Sequence, residues 1–318
     1  MEGRVISPSA GILVVGTETL LGSALVRRLA AAGYENVLSL EGDVLRDAGA
    51  VLEFFRRERP RFVLVPAGKS GGIQANTRHP ATLMADNLLC LTHVLEAARQ
   101  VPPERLLLLV SCCVYPKLCS QPMRTESLWT GPLEPTNEAY AAAKLAAMTF
   151  CQSLRKEFGL DFNTAITANL FGAGDHFDPE NAHVIPSLLV RFHEARRKNA
   201  PQVVVWGSGK AVREFVYADD AADGALFLLE RYSCVDPINL GGGTNKNIGE
   251  LAVEIARVVG YEGEVVFDTT KPDGMPLKGL DCGALELLGW HPSTPFEAAI
   301  EETYRHYLSI EDTRHANY

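Results

Sequence analysis

The 318-residue chain lacks features that define several classes of protein. It has no apolar run approaching the ~20 residues needed to cross a bilayer, which argues against a membrane protein. It lacks an excess of positive charge: the net charge is −9, which argues against a nucleic-acid partner. Its seven cysteines are an odd number without CxxC pairs of the metal-binding type. We therefore expect no metal, reduced thiols and a cytoplasmic protein.

Short apolar runs alternate with helix-length segments through the first half of the chain. Four such runs predict buried parallel strands: 11–15, 37–40, 61–65 and 106–110. This alternation predicts an α/β fold with a doubly wound, Rossmann-type parallel sheet and a smaller, mixed α/β substrate lobe. The expected dinucleotide-binding domain is 1–171 with segments returning at about 214–241, and the expected lobe is 172–213 and 242–318.

A glycine-containing turn follows the first predicted strand and opens a helix. In the segment Gly16-Thr-Glu-Thr-Leu-Leu-Gly22, small residues let the backbone approach a pyrophosphate at the helix N-terminus. Thr19 stands where a complete GxxGxxG motif has a further glycine. Taken alone, the two glycines are equally expected of any strand–helix turn. The predicted cofactor-binding residues are Gly16, Thr19, Leu20, Leu21, Gly22, Glu41, Tyr140 and Lys144.

Glu41 bears on the choice between NAD and NADP. It follows the second predicted strand, roughly 20 residues after the glycine turn, where an acidic group typically binds the adenosine ribose hydroxyls of NAD. The same carboxylate repels the extra phosphate of NADP, and Glu18 adds a second negative charge. The alternative is that both glutamates are solvent-exposed turn residues. We expect NAD(H) to be favoured over NADP(H).

Tyr140 and Lys144 lie four residues apart in a helix-favouring stretch, which places both on one helix face. An unperturbed phenol has a pKa of about 10, too high for easy proton exchange at neutral pH. A neighbouring lysine cation stabilises the phenolate, so the pair predicts proton transfer beside a hydride transfer. Ser111, at the end of the fourth predicted strand, is the expected partner of this pair.

Several motifs across nearly the whole chain are more specific than general Rossmann features. They are Ser111-Cys-Cys-Val-Tyr-Pro-Lys117, Leu133-Glu-Pro-Thr-Asn-Glu138, Tyr140-Ala-Ala-Ala-Lys144, Asn169-Leu-Phe-Gly172, Asn181-Ala-His-Val-Ile-Pro186, Val204-Val-Trp-Gly207, Arg213-Glu-Phe215 and Lys271-Pro-Asp-Gly274. In these segments the chain resembles the GDP-L-fucose synthase family of extended short-chain dehydrogenases. The resemblance implies an enzyme that epimerises a GDP-4-keto-6-deoxymannose at C3 and C5 and reduces C4 with NADPH. It also implies a homodimer formed through the helices around 81–99 and 140–158.

The resemblance assigns catalytic roles to five residues. Ser111, Tyr140 and Lys144 would be the reductase triad, and Cys113 and His183 the acid–base pair that moves protons beside the ketone. Ser111 and Tyr140 would also hydrogen-bond the enolate oxygen. Three structural alternatives remain open. Ser111 caps the end of its strand, Cys113 is a small buried hydrophobe, as the sequence alone favours, and His183 caps or packs against its own helix.

The resemblance also implies a GDP-sugar pocket. Its residues are Asn169, His183, Arg191, Trp206, Arg213 and Lys278. Arginine and lysine suit the diphosphate, and tryptophan offers an apolar face. The alternatives are that Trp206 belongs to the core and that Arg213 forms an ion pair with Glu214 or Asp219.

The chain departs from the family pattern around the cofactor. Glu18 and Glu41 stand about where the family has basic residues that hold the NADP phosphate, and Leu277 replaces a basic residue beside Lys278. Three functions therefore remain open. The first is a GDP-4-keto-sugar epimerase/reductase that uses NADH. The second is a redox-neutral epimerase of a related GDP-sugar with tightly bound NAD. The third is a non-catalytic Rossmann protein, against which the intact catalytic set argues.

Overall fold

The computed structural model describes residues 4–178, 182–271, 273 and 275–316. Asn181, Pro272 and Gly274, which belong to the motifs above, lie outside these residues. The strands within the described part are, in chain order, β1 (Ile12–Val15), β2 (Val37–Leu40), β3 (Phe62–Val65), β4 (Arg105–Ser111), β5 (Phe162–Thr167), β6 (Asn169–Phe171), β7 (Gln202–Trp206), β8 (Val212–Tyr217), β9 (Ile238–Leu240), β10 (Thr244–Asn247), β11 (Glu264–Asp268) and β12 (Leu277–Lys278).

The described helices are, in chain order, α1 (Leu20–Ala31), α2 (Ala48–Glu58), α3 (Ile73–Arg78), α4 (Pro80–Gln100), α5 (Glu138–Phe158), α6 (Val184–Arg197), α7 (Ala218–Arg231), α8 (Ile248–Val259), α9 (Gly283–Leu287) and α10 (Phe296–Ala316). Their ends follow local chemistry. α8 begins where the Asn247 side chain accepts the backbone N–H of Glu250. α5 ends at Gly159 in the left-handed conformation. Among these helices, none combines the length and the apolar character that crossing a membrane requires.

Six parallel strands form the main sheet, in the order β2-β1-β3-β4-β5-β9. Every residue of β1 and β3 is buried, which explains their uninterrupted apolar side chains. β1 pairs with β2 on one side and β3 on the other, so the winding of the chain changes direction there. In open α/β sheets, ligands bind at this switch point. The predicted doubly wound α/β fold is confirmed.

The second part of the molecule has its own small sheets. β8 lies between β10 and β12 and also pairs with β6, while β7 pairs with β11. A separate hydrophobic cluster is built around α6, α8 and α10. The proposed domain boundaries stay a prediction. β9 joins the main sheet, but Leu280 and Trp290, expected in the lobe, pack into the cluster of the main sheet.

Candidate active site

One cleft of about 1470 Å³ follows the carboxyl ends of the main-sheet strands and reaches α6 and β7. The predicted catalytic residues that line it are Ser111, Cys113, Tyr140, Lys144 and His183. The predicted GDP-sugar residues that line it are Asn169, His183, Arg191, Trp206, Arg213 and Lys278. The tertiary structure therefore brings both sets, which are scattered over most of the chain, into one continuous space.

Two glycines allow the backbone to pack closely in the turn between β1 and α1. Gly16 has a φ of 86°, and a Cβ there would lie 2.8 Å from the Cα of Ala67. A Cβ at Gly22 would overlap the carbonyl oxygen of Gly16. The Thr19 hydroxyl accepts the N–H of Gly22 at 3.0 Å and donates to the Gly16 carbonyl at 2.8 Å. Thr19 therefore caps α1, and this residue and the next two line the cleft.

The two glutamates on which the cofactor expectation rests are engaged locally. Glu41 accepts a hydrogen bond from the Thr17 hydroxyl. Glu18 accepts the backbone N–H of Gly42 at 3.3 Å. Glu18 lines the cleft, whereas Glu41 lies outside its wall. Both residues are exposed, as the turn-residue alternative has it, and their hydrogen bonds tie the turn after β1 to the end of β2.

Two cations that the sequence reasoning missed line the same cleft. Arg46, in the segment between β2 and α2, lies 2.5 Å from the carboxylate of Asp86 on α4. Lys69, after β3, lies 3.0 Å from the same carboxylate. The Asp86 side chain is 6% exposed, whereas those of Arg46 and Lys69 are 48% and 63% exposed. One buried carboxylate therefore holds two cations whose charge still reaches the cleft.

Lys144 is buried beside the segment that follows β3. Its Nζ donates to the carbonyl oxygen of Ala67 at 2.7 Å. Gly68, with a φ of 129°, makes room for this contact, since a Cβ there would lie 2.5 Å from the lysine Nζ. Asn87 is fully buried nearby and donates to two backbone carbonyls, at 2.8 and 2.9 Å. Its Oδ1 has no partner among the described residues.

Tyr140 lies one helical turn before Lys144, and the lysine Nζ is 5.6 Å from the centre of its ring. Burial raises the pKa of Tyr140, and the thiols of Cys113 and Cys112 raise it further. Burial lowers the pKa of Lys144 to about 8. The cost of desolvating a phenolate dominates at this position. The Tyr140 phenol is therefore protonated at neutral pH and suited to donate a proton.

The sulfur of Cys113 is surrounded by three hydrogen-bond donors. The Oγ of Ser111 lies 3.4 Å, the Nδ2 of Asn137 3.2 Å and the Nζ of Lys278 3.8 Å from it. Cys113 is only partly buried and lines the cleft, so the buried-hydrophobe alternative does not describe it. Ser111 also accepts the backbone N–H of Cys113 at 3.4 Å, so it caps the end of its strand as well.

Lys278 reaches this sulfur from β12, where its backbone pairs with that of Arg213 from the expected diphosphate site. Burial alone would lower the pKa of Lys278, but the neighbouring thiols of Cys112 and Cys113 raise it overall. The ammonium group is therefore a persistent positive charge next to Cys113. This position could not be read from the sequence, because β12 reaches the end of β4 only through tertiary packing.

His183 is the N-cap residue of α6, but its side chain makes no capping hydrogen bond. The ring lines the cleft instead, so the capping alternative does not describe it. The surrounding protein desolvates the ring and lowers the pKa of His183, and His176 lowers it further. The lowered pKa makes the imidazolium form of His183 a stronger proton donor than that of a free histidine.

Three further residues of the expected GDP-sugar pocket line the cleft. Trp206 is 56% exposed, with the Nζ of Lys271 at 5.4 Å from the ring centre, so it is not a core residue. Arg191 donates to the carbonyl of Val204, and burial lowers the pKa of its guanidinium group. Asn169 uses its Nδ2 on a backbone carbonyl at 2.8 Å.

Arg213 is positioned by backbone carbonyls and not by the acidic residues considered above. It donates to the carbonyls of Val212 and Met275, at 2.7 and 2.6 Å. The buried Glu214 instead accepts backbone N–H groups of residues 242, 243 and 280. Asp219 pairs with Arg27 at 2.5 Å. The ion-pair alternative for Arg213 is therefore not observed.

Sequence reasoning also missed two polar residues of the cleft wall. Asn137 stands three residues before Tyr140, and its place in one of the motifs above was the available signal. Asp175 uses one carboxylate oxygen on the N–H of His176 at 2.8 Å, and the other has no partner among the described residues. Burial raises the pKa of Asp175 to about 7. No pattern in the sequence indicates this acid.

Comparisons with known proteins agree with this geometry. Residues 12–241 match the profile of the NAD dependent epimerase/dehydratase family. The chain is 44% identical to a probable GDP-L-fucose synthase 1 of Oryza sativa subsp. japonica, over 93% of this chain and 92% of the relative. It is 43% identical to the GDP-L-fucose synthase of Escherichia coli K12, over 95% and 97%. The NADP-bound crystal structure of a GDP-L-fucose synthetase from Naegleria fowleri has a TM-score of 0.88 at 28% identity and 98% coverage of both chains.

The expectation that NAD(H) is favoured over NADP(H) is wrong. The related synthetase from Naegleria fowleri was solved with NADP bound, and the chain aligns with GDP-L-fucose synthases over nearly its whole length. The physical reason lies in the side-chain positions. Glu41 is engaged by Thr17 outside the cleft wall, while Arg46 and Lys69 bring positive charge to the cleft.

The same comparisons decide between the functions left open by the sequence. They support the epimerase/reductase over the redox-neutral alternative with tightly bound NAD, and they support an enzyme over a non-catalytic protein. The predicted NAD(P)-dependent nucleotide-sugar epimerase/reductase is therefore confirmed. The chain belongs to the NAD dependent epimerase/dehydratase family and, within it, to the GDP-L-fucose synthases.

Proposed function

We propose that the chain epimerises a GDP-4-keto-6-deoxy sugar at the carbons beside its ketone and then reduces C4 with NADPH. One observation carries the proposal: the acid–base residues Cys113 and His183 line the same cleft as Ser111, Tyr140 and Lys144. A single site with both sets needs no transfer of the reactive keto-sugar between enzymes. The similarity to proteins named GDP-L-fucose synthase supports this activity.

The turn after β1 fits the diphosphate of a dinucleotide. Its two glycines leave no room for side chains, and the backbone N–H groups at the start of α1 suit an anion. Thr19, Leu20 and Leu21 would lie along the dinucleotide, and Arg46 with Lys69 would attract the adenosine phosphate of NADPH. When bound, NADPH supplies the hydride for C4.

Epimerisation requires a base and an acid beside the ketone. A C4 ketone acidifies the hydrogens on C3 and C5, so removal of one leaves an enolate. In the proposed step, Cys113 accepts this proton on its sulfur and His183 returns one to the opposite face. Ser111 and Tyr140 would hydrogen-bond the enolate oxygen and lower the barrier.

Reduction requires a proton for the C4 oxygen as hydride arrives at the carbon. Tyr140 is suited to this step because burial raises its pKa and keeps the phenol protonated. The ammonium group of Lys144, at 5.6 Å from the ring centre, stabilises the phenolate as the proton leaves. Gly68 has no side chain, so it leaves room for the Nζ of this lysine close to the reacting groups.

The GDP part of the substrate is proposed to lie between α6 and β8. Arg191 and Arg213 would bind the diphosphate oxygens, and the exposed face of Trp206 would pack against the nucleotide. Asn169 would orient the sugar near the end of β5. Lys278 would act at the inner end of this pocket, next to Cys113.

We also propose a cytoplasmic homodimer. All seven cysteines are free thiols, which suits a reducing compartment. α4 and α5 pack against each other, and each carries an exposed apolar side chain, Leu89 and Phe158 respectively. These helices would pair with the same helices of a second copy. The molar mass in solution, measured by light scattering, tests the dimer.

The reaction is tested with GDP-4-keto-6-deoxymannose in deuterated water. Without NADPH we expect solvent deuterium to enter C3 and C5 of the sugar. With NADPH we expect its oxidation to match the formation of the C4-reduced product. Cys113→Ser should abolish deuterium entry. Deuterium entry with no NADPH oxidation would exclude net reduction, and deuterium entry unchanged in Cys113→Ser would exclude the proposed base.

A further inference from the structure

We infer that Asn137, assisted by Lys278, positions Cys113 for proton transfer by donating a hydrogen bond to its sulfur. The inference rests on the proposed function, in which Cys113 is the base of the epimerisation. Asn137 is a positioning residue in this account, since it acts on the substrate only through the cysteine. It stands at the start of α5, three residues before Tyr140.

The geometry around the sulfur is the first argument. The Nδ2 of Asn137 lies 3.2 Å and the Nζ of Lys278 3.8 Å from the Cys113 sulfur, within the range of hydrogen bonds to sulfur. The two donors come from α5 and β12, elements far apart in the chain. Donors that converge on one sulfur stabilise negative charge there and limit the directions in which its lone pairs point. Both effects favour proton abstraction from a fixed position.

The second argument is that the side chain of Asn137 does not cap α5. Asparagine at an N-cap normally accepts a backbone N–H of the first turn with its side-chain oxygen. Asn247 does this at the start of α8, where it accepts the N–H of Glu250 at 2.7 Å. Asn137 occupies the N-cap of α5 but makes no such bond, because its side chain is directed at Cys113. Asn137 therefore departs from the usual behaviour of an N-cap asparagine, as residues at functional sites do.

The unpartnered oxygen of the same amide is the third argument. The Oδ1 of Asn137 is buried and has no partner among the described residues. A buried acceptor without a partner destabilises the folded state, so an amide in this position needs a compensating role. Ser111 and Lys278 also point donors at the Cys113 sulfur, which makes the sulfur an acceptor. The amide nitrogen is therefore the end that faces it.

Alkylation of Cys113 tests the contact without any sugar. The enzyme with bound NADPH is treated with iodoacetamide at neutral pH, and modification of Cys113 is followed by peptide mass spectrometry. Asn137→Asp preserves the size of the side chain but replaces the donor with a negative charge. We expect alkylation about tenfold slower than in the native enzyme, since a bond to a charged acceptor is lost. Asn247→Ala, which removes an ordinary cap, should leave the rate unchanged.

Deuterium exchange tests the consequence for catalysis. We compare the rate of solvent deuterium entry without NADPH with the rate of NADPH oxidation on an already epimerised 4-keto-sugar. The ratio of these rates should fall about tenfold in Asn137→Asp, and also in Asn137→Ala. Lys278→Met should slow alkylation more than Lys278→Arg, which keeps the positive charge.

Three results would overturn the inference. Alkylation in Asn137→Asp at or above the native rate would show that the amide does not donate to the sulfur. An unchanged ratio of exchange to reduction would show that the contact has no catalytic consequence, and equal alkylation of the two Lys278 variants would remove the lysine from the account. Failure of the proposed function looks different: Cys113→Ser would retain deuterium entry, while the alkylation rates would still report the contact.

Discussion

The Nζ of Lys144 donates a hydrogen bond to the carbonyl oxygen of Ala67 at 2.7 Å and lies 5.6 Å from the centre of the Tyr140 ring. Both side chains are buried, with 3% and 8% of their surface exposed. Burial raises the pKa of Tyr140 and lowers the pKa of Lys144 to about 8. In this arrangement Tyr140 is the proton donor. The protonation of Lys144 is the property that changes with pH, near pH 8.

The pH dependence of reduction should follow Lys144. Below pH 8 the lysine is a cation and stabilises the phenolate that forms when Tyr140 gives up its proton. Above that pH it loses its proton, so kcat for NADPH oxidation should fall. Lys144→Arg keeps its charge to much higher pH, so the falling limb should move upward. A fall at the same pH in both proteins would contradict this assignment.

Tyr140→Phe should remove the proton donor and leave the fold intact. We expect the rate of NADPH oxidation to fall by about 10²-fold or more, the usual contribution of a general acid. Tyr34→Phe removes a phenol that contacts Glu230 at 3.1 Å, away from the cleft, and serves as the control. Absorbance of NADPH during turnover of a GDP-4-keto-sugar measures both. Full activity of Tyr140→Phe would exclude the proposed triad.

Gly68→Ala should slow NADPH oxidation more than Gly33→Ala, which also replaces a glycine of positive φ. A Cβ at Gly68 would overlap the Oδ1 of Asn87 and lie 2.5 Å from the Nζ of Lys144, and φ there is 129°. Gly33 also has positive φ, 81°, but faces open space, so Gly33→Ala introduces backbone strain alone, on the order of 1 kcal/mol. We expect NADPH oxidation to drop about tenfold or more only in Gly68→Ala, because the lysine is displaced. Thermal unfolding of both variants shows whether either change acts through stability. Equal rates of NADPH oxidation in the two variants would contradict this role of Gly68.

Arg46→Ala should weaken NADPH binding more than NADH binding. The guanidinium group lines the cleft and is held by the buried Asp86, so its loss removes a preorganised positive charge. We expect the Kd for NADPH to rise about tenfold, the usual effect of losing a hydrogen bond to a charged group. Arg56→Ala, on the exposed side of α2, is the control. Fluorescence titration measures both cofactors, and a Kd for NADPH that is unchanged in Arg46→Ala would exclude Arg46 from the phosphate site.

Local chemistry explains why much of the fold was predictable. The apolar run that became β1 was expected at 11–15 and is observed as Ile12–Val15, because a strand buried on both faces needs uninterrupted apolar side chains. The helix expected at 81–99 is observed as Pro80–Gln100. The spacing of Tyr140 and Lys144 likewise placed both on one face of α5, since a helix repeats every 3.6 residues.

Side-chain direction explains the failures. Glu41 follows β2 as expected, but the direction of its carboxylate depends on Thr17, whose hydroxyl donates a hydrogen bond to it. Arg46 reaches the cleft because Asp86, forty residues away on α4, holds it there. Neither contact has a periodic signature, because each joins segments that meet only when the sheet forms.

By itself, the sequence determined the alternation of strands and helices in the first half of the chain, the glycine turn and the motifs of the GDP-L-fucose synthases. These depend on short-range periodicity, on backbone freedom at glycine and on motifs that remain legible in one dimension. The tertiary structure alone decided that Lys278 and Asn137 meet at the sulfur of Cys113 and that positive charge reaches the cofactor cleft. These contacts depend on the packing of distant elements and on rotamers selected within the folded protein, neither of which spacing along the chain encodes.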